Sequence, residues 1–148
     1  MRMYRIWPDP DPTPLDDAAL TELYAPPPGV PSLRVNFVTS VDGAVEVEGY
    51  SAGLGSPADK KVFGLLRMYP DALLVAAGTV RHEGYHAVRL DEHRRAWRLE
   101  HGLPAYPRLV VVSARLDLDP TQDALAAAPV RPIVLTHAAA PPDRRAAL

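Results

Sequence analysis

The stretch Asp71-Ala72-Leu73-Leu74-Val75-Ala76-Ala77-Gly78-Thr79 decides how this chain folds. Residues 72–76 are continuously apolar, and the run is bounded by Pro70 on one side and Gly78-Thr79 on the other. A short apolar run without alternation is the pattern of a strand covered on both faces, as in parallel sheets. Gly78-Thr79 reads as the end of that strand.

Upstream, Ser56-Pro57-Ala58-Asp59 opens a helix. Serine suits the N-cap, proline the first helical position and aspartate the first turn. Val62, Phe63, Leu65, Leu66 and Tyr69 supply its apolar face, and Pro70 ends it. Before it, residues 33–40 alternate apolar with polar side chains and are rich in β-formers, so they read as a strand closed by the turn dipeptide Asp42-Gly43. Val45 and Val47 extend a short strand, and residues 49–55 form a glycine-bearing loop.

Downstream, residues 91–101 read as a helix with Trp97 inward and Gly102 past its end. Residues 108–113 are a third buried strand, residues 121–128 a short helix and residues 130–136 a fourth strand. The order β-α-β-α-β-α-β implies an α/β sheet joined by crossovers. Residues 1–31 form a proline-rich arm with a short helix over residues 15–24, and residues 32–148 form the N-terminal part of a domain. Residues 141–148 look like the first turns of a helix with no strand after it, so the domain is expected to continue beyond them.

Composition narrows the function classes. There is no cysteine, which excludes disulfides, thiolate metal sites and a cysteine nucleophile. A net charge of -2 argues against a generic nucleic-acid binder. No apolar run approaches the roughly 20 residues that span a bilayer, and the N-terminus lacks a signal-peptide core, so the expectation is a cytoplasmic protein without membrane contact. An exposed sheet edge would favour a homodimer.

Several residues invite chemistry. His82-Glu83-Gly84-Tyr85-His86 matches the H-E-x-x-H spacing of zinc hydrolases letter for letter. It follows a buried strand closely and contains Gly84, which weakens a helix, so no metal site is expected there. Gly53-Leu54-Gly55 precedes a helix but lacks the third glycine of a dinucleotide fingerprint. Arg67 and Arg89 are candidate phosphate ligands, because a guanidinium binds phosphate bidentately. Thr39, Ser40, Gly78, Thr79 and Ser113 all fall at predicted strand ends, where ligands of open α/β sheets collect. Asp42 is explained by turn chemistry.

Taken in order, Val38-Thr39-Ser40-Val41-Asp42-Gly43, Ser51, Ser56-Pro57-Ala58-Asp59 and residues 71–81 resemble the reductase domain of riboflavin biosynthesis, the C-terminal domain of the bifunctional deaminase/reductase. The resemblance implies a dihydrofolate-reductase-like layered sheet with flanking helices. It also implies NADPH as hydride donor and a ribosylamino-pyrimidine 5′-phosphate as substrate. By the same resemblance Ser51, Arg67 and Arg89 would hold the substrate, and Val38, Thr39, Gly53, Gly78, Thr79, Glu83 and Ser113 would line the cofactor groove. Arg115 would meet a 2′-phosphate. Two departures stand out: Gly53 lies where many members carry tryptophan, and the family's later Gly-Gly segment has no counterpart. A related reductase with a pterin-type substrate, a zinc hydrolase using His82 and His86, and a silent remnant that pairs with another chain are the alternatives.

Overall fold

A computed structural model describes residues 2–148. The chain divides into two units, one ending at Tyr69 and the other spanning Pro70–Leu148.

In the first unit, β1 (Met3–Arg5) and β2 (Asp11–Leu15) pair antiparallel, with Met3 opposite Leu15. The proline-rich arm therefore contains a hairpin that its composition hides. Prolines are tolerated there because in a two-stranded ribbon every strand is an edge, where a missing N–H breaks no second ladder. Helix α1 (Asp17–Tyr24) starts where Asp16 accepts the Ala19 N–H at 2.8 Å. Helix α2 (Pro57–Leu66) starts on Ser56, which accepts the Asp59 N–H at 3.1 Å, with Pro57 in the first turn. The two helices are tied together by a Lys61–Asp17 ion pair and by the Tyr69 hydroxyl, which donates to the Thr21 carbonyl. Leu20, Met68 and Tyr69 are buried at this contact.

Residues 33–40, expected as a strand, form none. Leu33 and Phe37 are each 83% exposed. Strand propensity expresses packing against neighbouring strands rather than an intrinsic backbone preference, and no strand of the first unit lies alongside to supply it. The turn beyond is as expected. Gly43 N–H donates to the Ser40 carbonyl at 3.0 Å, and Ser40 N–H donates to the Ala44 carbonyl at 2.9 Å. The Ser40 hydroxyl caps Asp42 and holds its carboxyl below the ordinary carboxylate range. Val47 and Tyr50 exchange a single antiparallel bridge instead of building a strand.

The second unit holds a parallel sheet of three strands, β3 (Ala72–Ala76), β4 (Arg108–Val112) and β5 (Ile133–Leu135), in that spatial order. Ala72 aligns with Arg108, Ala76 with Val112, and Val112 with Leu135. Four strands were expected; the first is missing for the reason just given. Between β3 and β4 lie α3 (Ala77–His82) and α4 (Glu92–Glu100); α5 (Asp123–Ala126) precedes β5, and α6 (Pro142–Ala147) follows it. Alternate strand residues share a face. Leu109 and Val111 point into a core with Ala77, Val80, Val88 and Ala124, and Leu73 and Val75 pack against it. The opposite face is largely open: Val110 at its centre is buried, but Leu74 is 60% exposed, and Val112, Ile133 and Leu135 are exposed around it. The continuous apolar run of β3 thus belongs to a sheet covered on one side within this unit.

Two further expectations change. Gly78-Thr79 does not turn the chain out of β3 but lies inside α3, which begins at the residue after the strand. In α4, which starts on an Asp91 side-chain cap at 2.8 Å, the fully buried side chain is Arg98, not Trp97. Its guanidinium donates to the Pro104 carbonyl at 2.7 Å and to the Pro70 carbonyl at 2.9 Å, which offsets part of the cost of burying the charge. Trp97 is half-buried and stacks on the His101 ring at 3.8 Å. Gly102 follows with φ +73°, as its position past the helix end requires.

Because Leu109 fills the dry face of the central strand, Leu109→Ala is expected to cost about 2–5 kcal/mol of stability. Denaturant unfolding of the variant checks this; a loss no larger than that of an exposed substitution would contradict the placement of the core.

Candidate functional site

Parallel strands in register deliver their following residues to one edge of the sheet. Here that edge carries Gly78 and Thr79 in the first turn of α3, just beyond β3, and Ser113, directly beyond β4. Ala76 and Val112 are register partners, so these residues leave from adjacent positions. Thr79 is exposed. Ser113 is 6% exposed, and its N–H is bonded to the Leu135 carbonyl at 2.9 Å, which ties the tip of β4 to β5. A Cβ built on Gly78 meets nothing within 4 Å, so the space over this turn is open. Small residues, hydroxyl groups and open space at this edge fit a dinucleotide laid across the strand tips.

Helix α3 ends with the Glu83 N–H on the Thr79 carbonyl at 3.0 Å and the Tyr85 N–H on the Val80 carbonyl at 3.1 Å. Gly84 sits at φ +59°, a left-handed conformation that stops the helix. His82 is therefore the last residue of α3, while His86 lies beyond its end, 3.4 Å from an Asp123 carboxylate oxygen. The H-E-x-x-H spacing places two imidazoles on one face only when the whole motif is helical. Gly84 prevents that, and the zinc-hydrolase alternative loses its geometric basis. Room for a helix does exist before the motif, contrary to expectation, because α3 starts at Ala77.

Arg89 lies in the connection between α3 and α4, exposed, with its guanidinium donating to the Ala127 carbonyl at 3.2 Å. The Asp123 carboxyl is held below the ordinary range chiefly by the Ala87 N–H, with His86 and Arg89 adding to the effect. Arg115 is exposed beyond Ser113, and its carbonyl accepts a bond from Arg144 at 3.2 Å. Arg81 and Arg144 each approach Asp117 at 3.8 Å, so this loop is rich in guanidinium groups.

The remaining expected residues belong to the first unit. Ser51 and Gly53 share one 3-10 turn, Ser51–Leu54. A Cβ on Gly53 would meet the Val47 Cβ at 2.9 Å, so close packing accounts for glycine there. Arg67 caps the end of α2, with its guanidinium 4.0 Å above the Phe63 ring. Val38 and Thr39 lie in the irregular segment before the Asp42-Gly43 turn. In the second unit, an open cavity of about 310 Å³ lies at the opposite, starting end of the strands, lined by Ala72, Tyr106, Arg108, Val110 and Ile133. None of the expected site residues reaches it. Sequence reasoning missed Gln122 and Asp123, whose partners lie 36 to 42 residues away. Asp123 in the first turn of a short helix carries no sign of such a partner.

A parallel sheet with helices on one face and a small-residue carboxyl edge defines an α/β protein of the dihydrofolate-reductase-like layered class. Residues 31–148 match the family described as the RibD C-terminal domain, and the chain belongs to that family. A crystal structure of a pyrimidine reductase-like protein from Corynebacterium diphtheriae is similar to it, with 27% identity and a TM-score of 0.62, over 73% of this chain and 45% of that one. The chain thus spans less than half the length of that protein. Among curated proteins none matches the sequence. No helix among the described residues is long and apolar enough to cross a membrane.

Since the space over Gly78 is open, Gly78→Ala should fold normally, with stability unchanged or raised by up to about 1 kcal/mol through helix propensity. Thermal melts check this; a marked loss would show that the turn is closed against another group.

Proposed function

We propose that this chain carries part of an NADPH-dependent reductase of riboflavin biosynthesis, acting on a ribosylamino-pyrimidine 5′-phosphate. The observation that carries the reading is the arrival of Gly78, Thr79 and Ser113 at one open edge of a parallel sheet, in a chain of the RibD C-terminal domain family. The similarity to the pyrimidine reductase-like protein of Corynebacterium diphtheriae supports it.

In this reading Gly78 and Thr79 let the cofactor backbone approach closely, and Ser113 faces the adenosine ribose. Arg115 meets the 2′-phosphate that distinguishes NADPH from NADH. Glu83, at the end of α3, completes the cofactor contacts of this unit. Arg89 holds the substrate phosphate. NADPH, when bound, supplies a hydride to C1′ of the ring-opened ribose. The chain's own contribution is orientation: no side-chain nucleophile is required, which suits a protein without cysteine.

The test is NADPH oxidation in the presence of the ribosylamino-pyrimidine phosphate, together with the melting temperature with and without NADPH. A ligand that binds the folded state at about 100 times its Kd stabilises by about 2.7 kcal/mol. Arg89→Ala should raise KM for the phosphorylated substrate by about tenfold or more, as loss of a charge-assisted bond does. An unchanged melting temperature with NADPH, or no oxidation with this substrate class, would overturn the reading.

A further inference from the structure

Residues 85–90 form neither helix nor strand. Ala87, Val88 and Leu90 are buried, and Arg89 between them is exposed. Three bonds from one short stretch hold this corner. Asp123 accepts the Ala87 N–H at 2.8 Å on the same carboxylate oxygen that faces His86. Gln122 donates its side-chain amide to the Val80 carbonyl at 2.9 Å, fixing the end of α3 from which the connection departs. Arg89 in turn donates to the Ala127 carbonyl at 3.2 Å, which uses one of the five N–H donors of its fork.

We propose that Asp123 is a positioning residue for the substrate-phosphate site, because its carboxylate fixes the course of residues 85–89 and thereby the direction in which Arg89 presents its guanidinium. The proposal rests on the assignment of Arg89 to the substrate phosphate made above. The physical need is plain. An irregular segment loses backbone entropy when it is ordered, and a ligand contact made from an unordered segment would have to offset that loss at each binding event. Asp123 settles it during folding. The bond from its carboxylate to a backbone N–H is charge-assisted, stronger than one between neutral groups. It acts on Ala87, two residues from Arg89, and so steers the arginine without touching the substrate. Helix α5 has only four residues, too few to be stable alone, and is held by the burial of Ala124 in the core together with the same bonds.

The test compares the wild-type chain with Asp123→Ala and Asp123→Asn, the second of which keeps an oxygen that can accept the Ala87 N–H. For Asp123→Ala, KM for the phosphorylated pyrimidine should rise about tenfold with kcat nearly unchanged, the shift of a lost binding contact. Asp123→Asn should restore most of it. Amide hydrogen exchange should quicken at residues 85–89 in Asp123→Ala and stay near wild type in the β4 core. If Arg89→Ala raises KM while Asp123→Ala does not, the inference falls and the functional reading stands. A wild-type chain that binds no phosphorylated pyrimidine removes the functional reading instead. Exchange then decides for Asp123: quickened exchange at residues 85–89 supports its ordering role, and unchanged exchange overturns it. Should Asp123→Ala fail to fold, Asp123→Ser, whose shorter side chain does not reach the Ala87 N–H, provides the same comparison of KM and exchange.

Discussion

Everything at the proposed site depends on one packing contact, the seating of α3 on the central strand. Val80 and Ala77 lie against Leu109 and Val111, and all four are buried. Full burial of an aliphatic side chain contributes about 1.5–3 kcal/mol, so this small cluster accounts for much of what holds the second unit together. It also sets geometry. With α3 pinned directly after β3, Gly78 and Thr79 have no freedom to wander, and the in-register ladder places Ser113 beside them. The site residues are thus consequences of a core contact made one or two residues away.

A second constraint is backbone chemistry at the end of the same helix. Gly84 in a left-handed conformation turns the chain away from the helix axis, separates His82 from His86 and starts the irregular segment that carries Arg89. One residue thereby removes a metal-binding geometry and sets the start of the connection to α4. The segment it starts is held by the burial of Ala87, Val88 and Leu90 and by the Asp123 carboxylate, which accepts the Ala87 N–H. This is common where a functional loop is positioned by a rigid scaffold.

Much of this was legible in the sequence where the determinants are local. Ser56-Pro57 and Asp91 announce helix starts that the structure reproduces with side-chain caps. The runs at residues 72–76 and 108–112 are strands, and Asp42-Gly43 is a turn. Non-local determinants were not legible. Residues 33–40 alternate like a strand but have no partner in their own unit, and alternation alone cannot supply one. Arg98 reads as a surface charge on a polar helix, yet two carbonyls, one of them 28 residues away, hold it inside. The hairpin in the proline-rich arm is invisible because proline argues against strands in general and permits them at edges. Of the candidate site, Gly78, Thr79 and Ser113 could be read from strand ends. The Asp123 contact to Ala87 spans 36 residues and has no sequence signal.

The most direct measurement is a map of amide chemical-shift changes on addition of NADPH. Binding at the carboxyl edge should move the signals of Gly78, Thr79, Glu83 and Ser113 and leave Ala72 and Arg108, at the starts of the same strands, unaffected. Changes confined to Ala72, Tyr106 and Arg108, around the opposite cavity, or no changes at all, would contradict the account.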